Sequence, residues 1–372
     1  MDYRNKILAQ NLINNSISLK EGDNILVEVI GEDGIELGNE IVKQSQKLNA
    51  IPYLNIISYE NLKQFLIKGT KEEIIAYGKK DLERMKKMQA YIGIRTPRSN
   101  KTFEGVTQEK LKLYNKYYTA AVHLEQRVKH TKWCIVGYPN EYNANKANMS
   151  LNEFKDFYYS VCNIDYNKMK IAMLSLKELM NKTDKVHIIS KDTDLVFSIK
   201  GITAQMYYGT FNIPDGEVAT SPVKNSVNGF IKYNTKTKYN DIIFEDIKFE
   251  FKDGKIIKAT SKENTKELNN ILDIDEGARY IGEFALGLNP YINNTIFDTL
   301  FDEKINGSFH FTPGMALEES DNGNRSEIHW DIVKILKKDF GGGEIYFDNI
   351  LIMKDGKFVL ECLKDLNPEN LI

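Results

Sequence analysis

The sequence predicts an α/β N-terminal domain with a mostly parallel sheet, followed by an α+β C-terminal domain rich in antiparallel strands. Three observations predict it. The chain has 372 residues, above the roughly 250–300 at which a single hydrophobic core stops growing. Its first half alternates apolar strand runs with helical patterns, the order that builds a parallel sheet. From about Val186 short alternating strands take over, and a Lys-Asp-Gly-Lys turn twice joins two of them, at Lys252–Lys255 and Lys354–Lys357. Asp-Gly favours the left-handed backbone of a type I′ hairpin. The division is read as residues 1–185 and residues 186–372.

The elements follow in order. Asn24 to Ile30 (NILVEVI) is a β-branched run, Gly34 to Leu48 carries a helical pattern, and Ile51 to Ile57 (IPYLNII) is a second apolar run, which together spell βαβ. Tyr91–Ile94 and Trp133–Val136 read as further buried strands, separated by a long helical stretch from about Gln108 to Gln126. Ser150 and Glu153 have the spacing of a capping box and should start a helix through Phe154, Phe157 and Tyr158. In the second half, Asp241 to Phe251 alternates apolar and polar residues over much of its length, as one strand would.

Composition narrows the function. Fifty basic and 52 acidic residues give a formal charge of -2, mixed along the chain, so nucleic acid is not an expected partner. The N-terminal stretch has scattered charges, and nowhere do about 18 apolar residues run together, so neither export nor membrane insertion is expected. Cys134, Cys162 and Cys362 are odd in number and far apart, which predicts reduced core residues in a reducing compartment. The turn Gly31-Glu-Asp-Gly34 lacks the third glycine of a dinucleotide fingerprint and places two carboxylates where a pyrophosphate would sit. The run Gly341–Gly343 lacks the Lys-Ser or Lys-Thr of a phosphate loop.

The chemistry concentrates in the last third. Of five histidines, His310 and His329 lie close in sequence. In Gly307-Ser-Phe-His310-Phe-Thr-Pro-Gly314, strand alternation sets Phe309 and Phe311 on one face and Ser308, His310 and Thr312 on the other. In Ser326-Glu-Ile-His329-Trp-Asp331-Ile-Val333, Ile328, Trp330 and Ile332 point one way and His329 and Asp331 the other. Imidazole and carboxylate converging from two strands suit zinc, cobalt or iron. Glu217, after the sharp Asn212–Gly216 turn, and Glu283, within Tyr280–Leu286, are acids in apolar surroundings and need a partner or a metal if buried. His123, His130 and His187 have no ligand-type neighbours at a helpful spacing.

Four blocks of the sequence resemble the cytoplasmic metallo-aminopeptidases that include aminopeptidase T and aminopeptidase S: Asn212–Thr220 with Pro222, Gly282–Gly287, Leu300–Glu303, and Gly307–His310 leading on to Ile328–Asp331. The resemblance covers nearly the whole chain and is strongest after Val186. It implies a metal-dependent aminopeptidase acting on short peptides, with two divalent ions (zinc, cobalt or manganese) held by Glu217, Glu283, His310, His329 and Asp331. Glu303 is implied as a further ligand, and Glu283 as either a bridging ligand or the general base. The resemblance also implies a cytoplasmic homodimer, with the first domain shaping the entrance. One departure stands out. Seven residues after His310 the family pattern has a tyrosine, and here that position is Leu317. A related fold serves ring-opening dioxygenases that hold one iron, for which His310, His329 and Asp331 alone would suffice; a catalytically weakened peptide-binding relative is the remaining alternative.

Overall fold

Strand and helix alternate in the first half, and in the computed structural model, which describes residues 2–372, they form a five-stranded sheet. Its strands are Asn24–Ile30, Ile51–Ile57, Ala90–Arg95, Lys132–Gly137 and Asn212–Ile213. They pair in parallel, with the second strand on one edge, then the first, third, fourth and fifth. The expected helix after the first strand is Ile35–Lys47. The long helical stretch is Gln108–Tyr114 continued by wider π-type turns over Asn115–Arg127. The capping box forms, with Ser150 Oγ accepting from the Glu153 amide and the Glu153 carboxylate accepting from the Ser150 amide, and it starts helix Leu151–Cys162.

Contacts divide the chain into two units, Met1–Asn163 with Gly209–Pro214 and Ile164–Tyr208 with Asp215–Ile372. The sequence reading set its boundary after residue 185. Helix Tyr166–Lys182 belongs instead to the second unit, and the strand Asn212–Ile213 returns to the first. An amphipathic pattern shows that a helix has a core face without showing which core it meets.

The second unit holds two antiparallel sheets. The larger has eight strands in the spatial order Lys255–Thr260, Lys248–Lys252, Asn228–Lys232, Thr193–Ser198, Lys185–Ser190, Glu344–Phe347, Ile350–Lys354 and Lys357–Phe358. Both Lys-Asp-Gly-Lys turns close hairpins of this sheet, with φ of 48° and 86° at Asp253 and Gly254 and of 48° and 78° at Asp355 and Gly356. The alternating run Asp241–Phe251 is not one strand. It breaks between Ile242–Phe244 and Lys248–Lys252, where Asp246 turns the backbone left-handed at φ 55°.

The smaller sheet has five strands in the order Val333–Ile335, Ser308–Pro313, Ile281–Gly287, Glu217–Thr220 and Gln205–Tyr207. One face of this sheet packs into an aromatic core. Phe197 of the larger sheet meets Phe284 and Phe311 at 5.0 Å between ring centroids, and Phe251 meets Phe311 at 5.9 Å. Offset and edge contacts of this kind add about 0.5–1.5 kcal/mol each to the area they bury. With one face committed to this core, a one-residue slip in register would drive the polar face into it.

Cys134 and Cys162 are buried, as expected; Cys362 is exposed, so it is not a core residue. Its short helical segment Glu361–Leu366 buries Leu363 and Leu366 instead. Among the described residues no helix is long and apolar enough to cross a membrane.

In the first unit Glu28 stands buried in the central strand. Burial raises a carboxyl pKa, but the Arg95 charge and hydrogen bonds from the Tyr91 and Tyr118 hydroxyls, each at 2.9 Å, hold this one below its ordinary value. His123 lies 3.9 Å from Glu28 and its Nδ1 accepts from Arg127 Nε at 3.3 Å. Burial lowers this imidazole to about 4, against the opposing pull of Glu28. A sign follows from that value. Between the ordinary imidazole value of 6.5 and about 4, the unfolded chain binds a proton that the folded chain refuses, so stability falls as pH falls through this window. The loss reaches at most about 3 kcal/mol. Urea unfolding of His123→Gln across that window should show a flatter stability profile than the parent; an unchanged slope would refute this assignment.

Candidate metal centre

Directly opposed residues in an antiparallel sheet share a face, and the register of the smaller sheet therefore builds the site. Tyr207 opposes Glu217, Glu217 opposes Gly287, Ala285 opposes His310, and Glu283 opposes Thr312. Alternation then gathers Tyr207, Glu217, Glu283, His310 and Thr312 on the face turned away from the aromatic core. The floor between them is Ala219, Ala285 and Gly287, small residues that leave room above the strands. His329 and Asp331 arrive on the neighbouring extended segment. A regular strand was expected there, but it starts only at Val333; before it, a bridge at Gly314–His329 and a bond from the Trp330 amide to the Pro313 carbonyl guide the chain. The alternation is as read from sequence, because Ile328, Trp330 and Ile332 are buried, with Trp330 against Tyr239 and Phe244.

Two overlapping groups of candidate ligands result, Glu217 with Glu283 and His310, and Glu283 with His329 and Asp331, the ligand atoms of each lying within 4.8 Å of one another. Glu283 belongs to both. Its Oε1 is 3.5 Å from His310 Nε2 and its Oε2 is 3.1 Å from His329 Nε2. Asp331 Oδ1 is 3.2 Å from His329 Nε2 and accepts the Thr312 hydroxyl at 2.7 Å. His329 Nδ1 lies 2.8 Å from the Met315 carbonyl, which makes it the protonated nitrogen and leaves Nε2 to face the carboxylates.

Glu303, the sixth residue read from sequence, lies outside both groups. Its carboxylate is 2.7 Å from Lys304 Nζ, and the same ammonium lies 2.5 Å from Glu217 Oε1 and 3.7 Å from Asp215. Lys304 is 4% exposed, and sequence reasoning missed it, since a lysine after Asp302 and Glu303 reads as solvated. The backbone explains its depth. A Cβ at Gly287 would stand 2.3 Å from the Ile305 carbonyl oxygen and 2.9 Å from that of Glu303, so only glycine lets residues 303–305 lie on the strand. At Gly282 a Cβ would stand 2.2 Å from the Met315 carbonyl oxygen that orients His329.

The electrostatics of these side chains call for cations. Burial pushes Glu217 up to about 7 and Glu303 well above the carboxylate range, each against the pull of Lys304. Burial would lower both imidazoles, yet the carboxylates overturn it. Glu283 and Glu217 raise His310 to about 9, and Asp331 and Glu283 raise His329 to about 12. Protons on these histidines stand where Lewis acids would stand in a ligand set of this composition. Glu217 Oε2 is buried without a hydrogen-bond partner, 3.7 Å from His310 Nε2. Five acids, the four named from sequence and Asp215, crowd around the single ammonium of Lys304, an excess of carboxylate that divalent cations would relieve. The donor set fits such ions.

Comparison with known proteins agrees with this chemistry. The thermophilic metalloprotease family, M29, matches residues 2–358. The chain belongs to this metallopeptidase family. It is 26% identical to aminopeptidase PepS of Streptococcus thermophilus over 87% of this chain and 90% of that protein, and 34% identical to aminopeptidase T of Thermus thermophilus over 31% and 29%. The fold resembles that of wild-type AmpT from Thermus thermophilus, with a TM-score of 0.74 at 19% identity over 96% of this chain and 99% of that one. It also resembles 2,5-dihydroxypyridine dioxygenase from Pseudomonas putida KT2440, with a TM-score of 0.60 at 13% identity over 97% and 98%. A fold of this kind is thus found in proteins named as an aminopeptidase and as a dioxygenase, and fold alone does not fix the chemistry.

Gly287→Ala should push residues 303–305 off the strand and weaken cobalt(II) binding at least about tenfold while the protein stays folded, since displaced partners of ligands typically cost that much. Calorimetric titration of the chelator-treated variant checks it; unaltered affinity would mean that the strand floor does not set the site.

Proposed function

We propose that the chain removes N-terminal residues from short peptides with two divalent ions, zinc, cobalt or manganese, one held by Glu217, Glu283 and His310 and the other by Glu283, His329 and Asp331. The observation that carries this is the Glu283 carboxylate, whose two oxygens face different histidines at 3.5 and 3.1 Å. Such ions, when bound, lower the pKa of a water molecule and polarise a peptide carbonyl. The rest is the work of the chain. Met315 and Thr312 hold His329 and Asp331 in orientation. Glu303, its Oε1 2.7 Å from Lys304 Nζ, is the acid proposed to carry the proton that passes from water to the leaving amine. A single iron would need only His310, His329 and Asp331 and would leave Glu217 and Glu283 buried without purpose, which favours the peptidase over the dioxygenase chemistry. The proposal includes a cytoplasmic homodimer, on the family resemblance alone.

Leu317 has no donor for a developing oxyanion. Of the tyrosines near the family blocks, Tyr207, Tyr208, Tyr280 and Tyr291, Tyr207 opposes Glu217 on the site face, while the rings of Tyr208 and Tyr280 lie under Lys170 and Lys224. Tyr207 is therefore proposed as the phenol donor. Tyr207→Phe should lower kcat by about 10² with little change in KM, as loss of one oxyanion donor does. Equal kcat would remove Tyr207 from the reaction.

The function itself is tested on unblocked and N-acetylated short peptides after chelation and return of zinc, cobalt or manganese. Turnover should need both metal and a free amine, and should vanish in Glu283→Gln and His329→Ala. Folded protein that releases no N-terminal residue with any of the metals would refute the peptidase.

A further inference from the structure

Lys304 is unlike the other charged groups around the centre. Its Nζ lies 2.5 Å from Glu217 Oε1 and 2.7 Å from Glu303 Oε1, and among the described residues it is the only lysine or arginine paired with either acid. Its backbone is fixed on both sides, the amide donating to the Phe301 carbonyl and the carbonyl accepting from the Asn289 amide. The Gly287 floor brings that backbone down onto the strand. A lysine almost never goes fully inside unless it is paired, and this one is buried only where carboxylates are crowded. The pairing also shapes what each acid offers. Glu217 has one oxygen on the ammonium and the other, Oε2, without a hydrogen bond. Glu303, close in sequence to His310, sits on the ammonium and in neither ligand group.

We propose that Lys304 is a built-in counter-cation of the centre: its ammonium pins one oxygen of Glu217 and the carboxylate of Glu303, keeps Glu303 out of the metal shell, and lets the acidic pocket fold before metal arrives. Lys304 is thus a positioning residue. It touches the acids that do the work, and removing it has two consequences. Without metal, Glu217 and Glu303 are left buried side by side with no ammonium between them, and the fold weakens. With metal, Glu303 is released to become a ligand, and the coordination changes. The part about the metal shell rests on the function proposed above, whereas the part about folding does not.

The test uses the full chain as Lys304→Met, which keeps the apolar stem and removes the charge, Glu303→Gln, and the double variant. In chelated protein, Lys304→Met should unfold about 10 °C lower than the parent, the scale expected when one partner of a buried ion pair is removed. Adding Glu303→Gln should restore most of that loss, because it takes away the charge left unpaired. Cobalt(II) should stabilise Lys304→Met more than the parent. The visible absorption of bound cobalt should differ from the parent in Lys304→Met and match it in the double variant. A double variant no more stable than Lys304→Met would overturn the proposal, since loss of a lysine that only fills space is not rescued by removing the neighbouring charge. If Lys304→Met cannot be purified folded, a folded double variant supports the proposal and an unfolded one overturns it. Cobalt that alters neither the unfolding nor the spectrum of any form, parent included, would refute the metal reading, while rescue by Glu303→Gln would still decide the role of Lys304 in folding.

Discussion

Carboxylates do not gather in a buried place without cations to hold them there. Around Glu283 the fold sets Glu217, Glu303 and Asp331 in one pocket with Asp215 beside it, and burial alone would force several of them to take up protons. The pocket answers with positive groups of two kinds. Lys304 is built into the chain and serves Glu217 and Glu303; His310 and His329 face Glu283 and Asp331, and among these acids they hold their protons firmly. That is the electrostatic signature of a site shaped for divalent metal, and the features of the second unit that surround it serve to hold such a pocket open.

The backbone does this through register. The smaller sheet spends one face on an aromatic core of Phe284, Phe309 and Phe311, all fully buried, so its opposite face is fixed without further contacts. Two glycines of the central strand, Gly287 on that face and Gly282 where the register shifts, then let two other pieces of chain come close. Residues 303–305 pass over Gly287 and bring in Lys304; residues 314–315 pass over Gly282 and present the Met315 carbonyl to His329. The glycines and alanines of the Gly282–Gly287 block are therefore as necessary as the glutamate among them.

Much of this was legible in the sequence. Period-two alternation placed His310 against Phe309 and Phe311, and His329 and Asp331 against Trp330, because a residue's face depends only on its neighbours along the strand. The Asp-Gly hairpins and the Ser150 capping box were legible for the same reason, being local. What could not be read was long-range. Lys304 reads as a solvated charge until Gly287 is seen beneath it, and Tyr207 is one tyrosine among several until its register with Glu217 is known. The helix Tyr166–Lys182 groups with the second unit, which its pattern does not reveal because the pattern carries no address. Asp246 broke an alternation that, by pattern alone, would have run on.

Everything proposed for the site turns on Glu283 joining two metal positions. Anomalous diffraction from crystals of the cobalt- or zinc-loaded protein tests it most directly, because it counts the ions and places each against its ligands. Two peaks, one beside Glu217 and His310 and the other beside His329 and Asp331 with Glu283 between them, are the predicted result. A single peak held by His310, His329 and Asp331, with Glu217 and Glu283 turned away, would contradict the account.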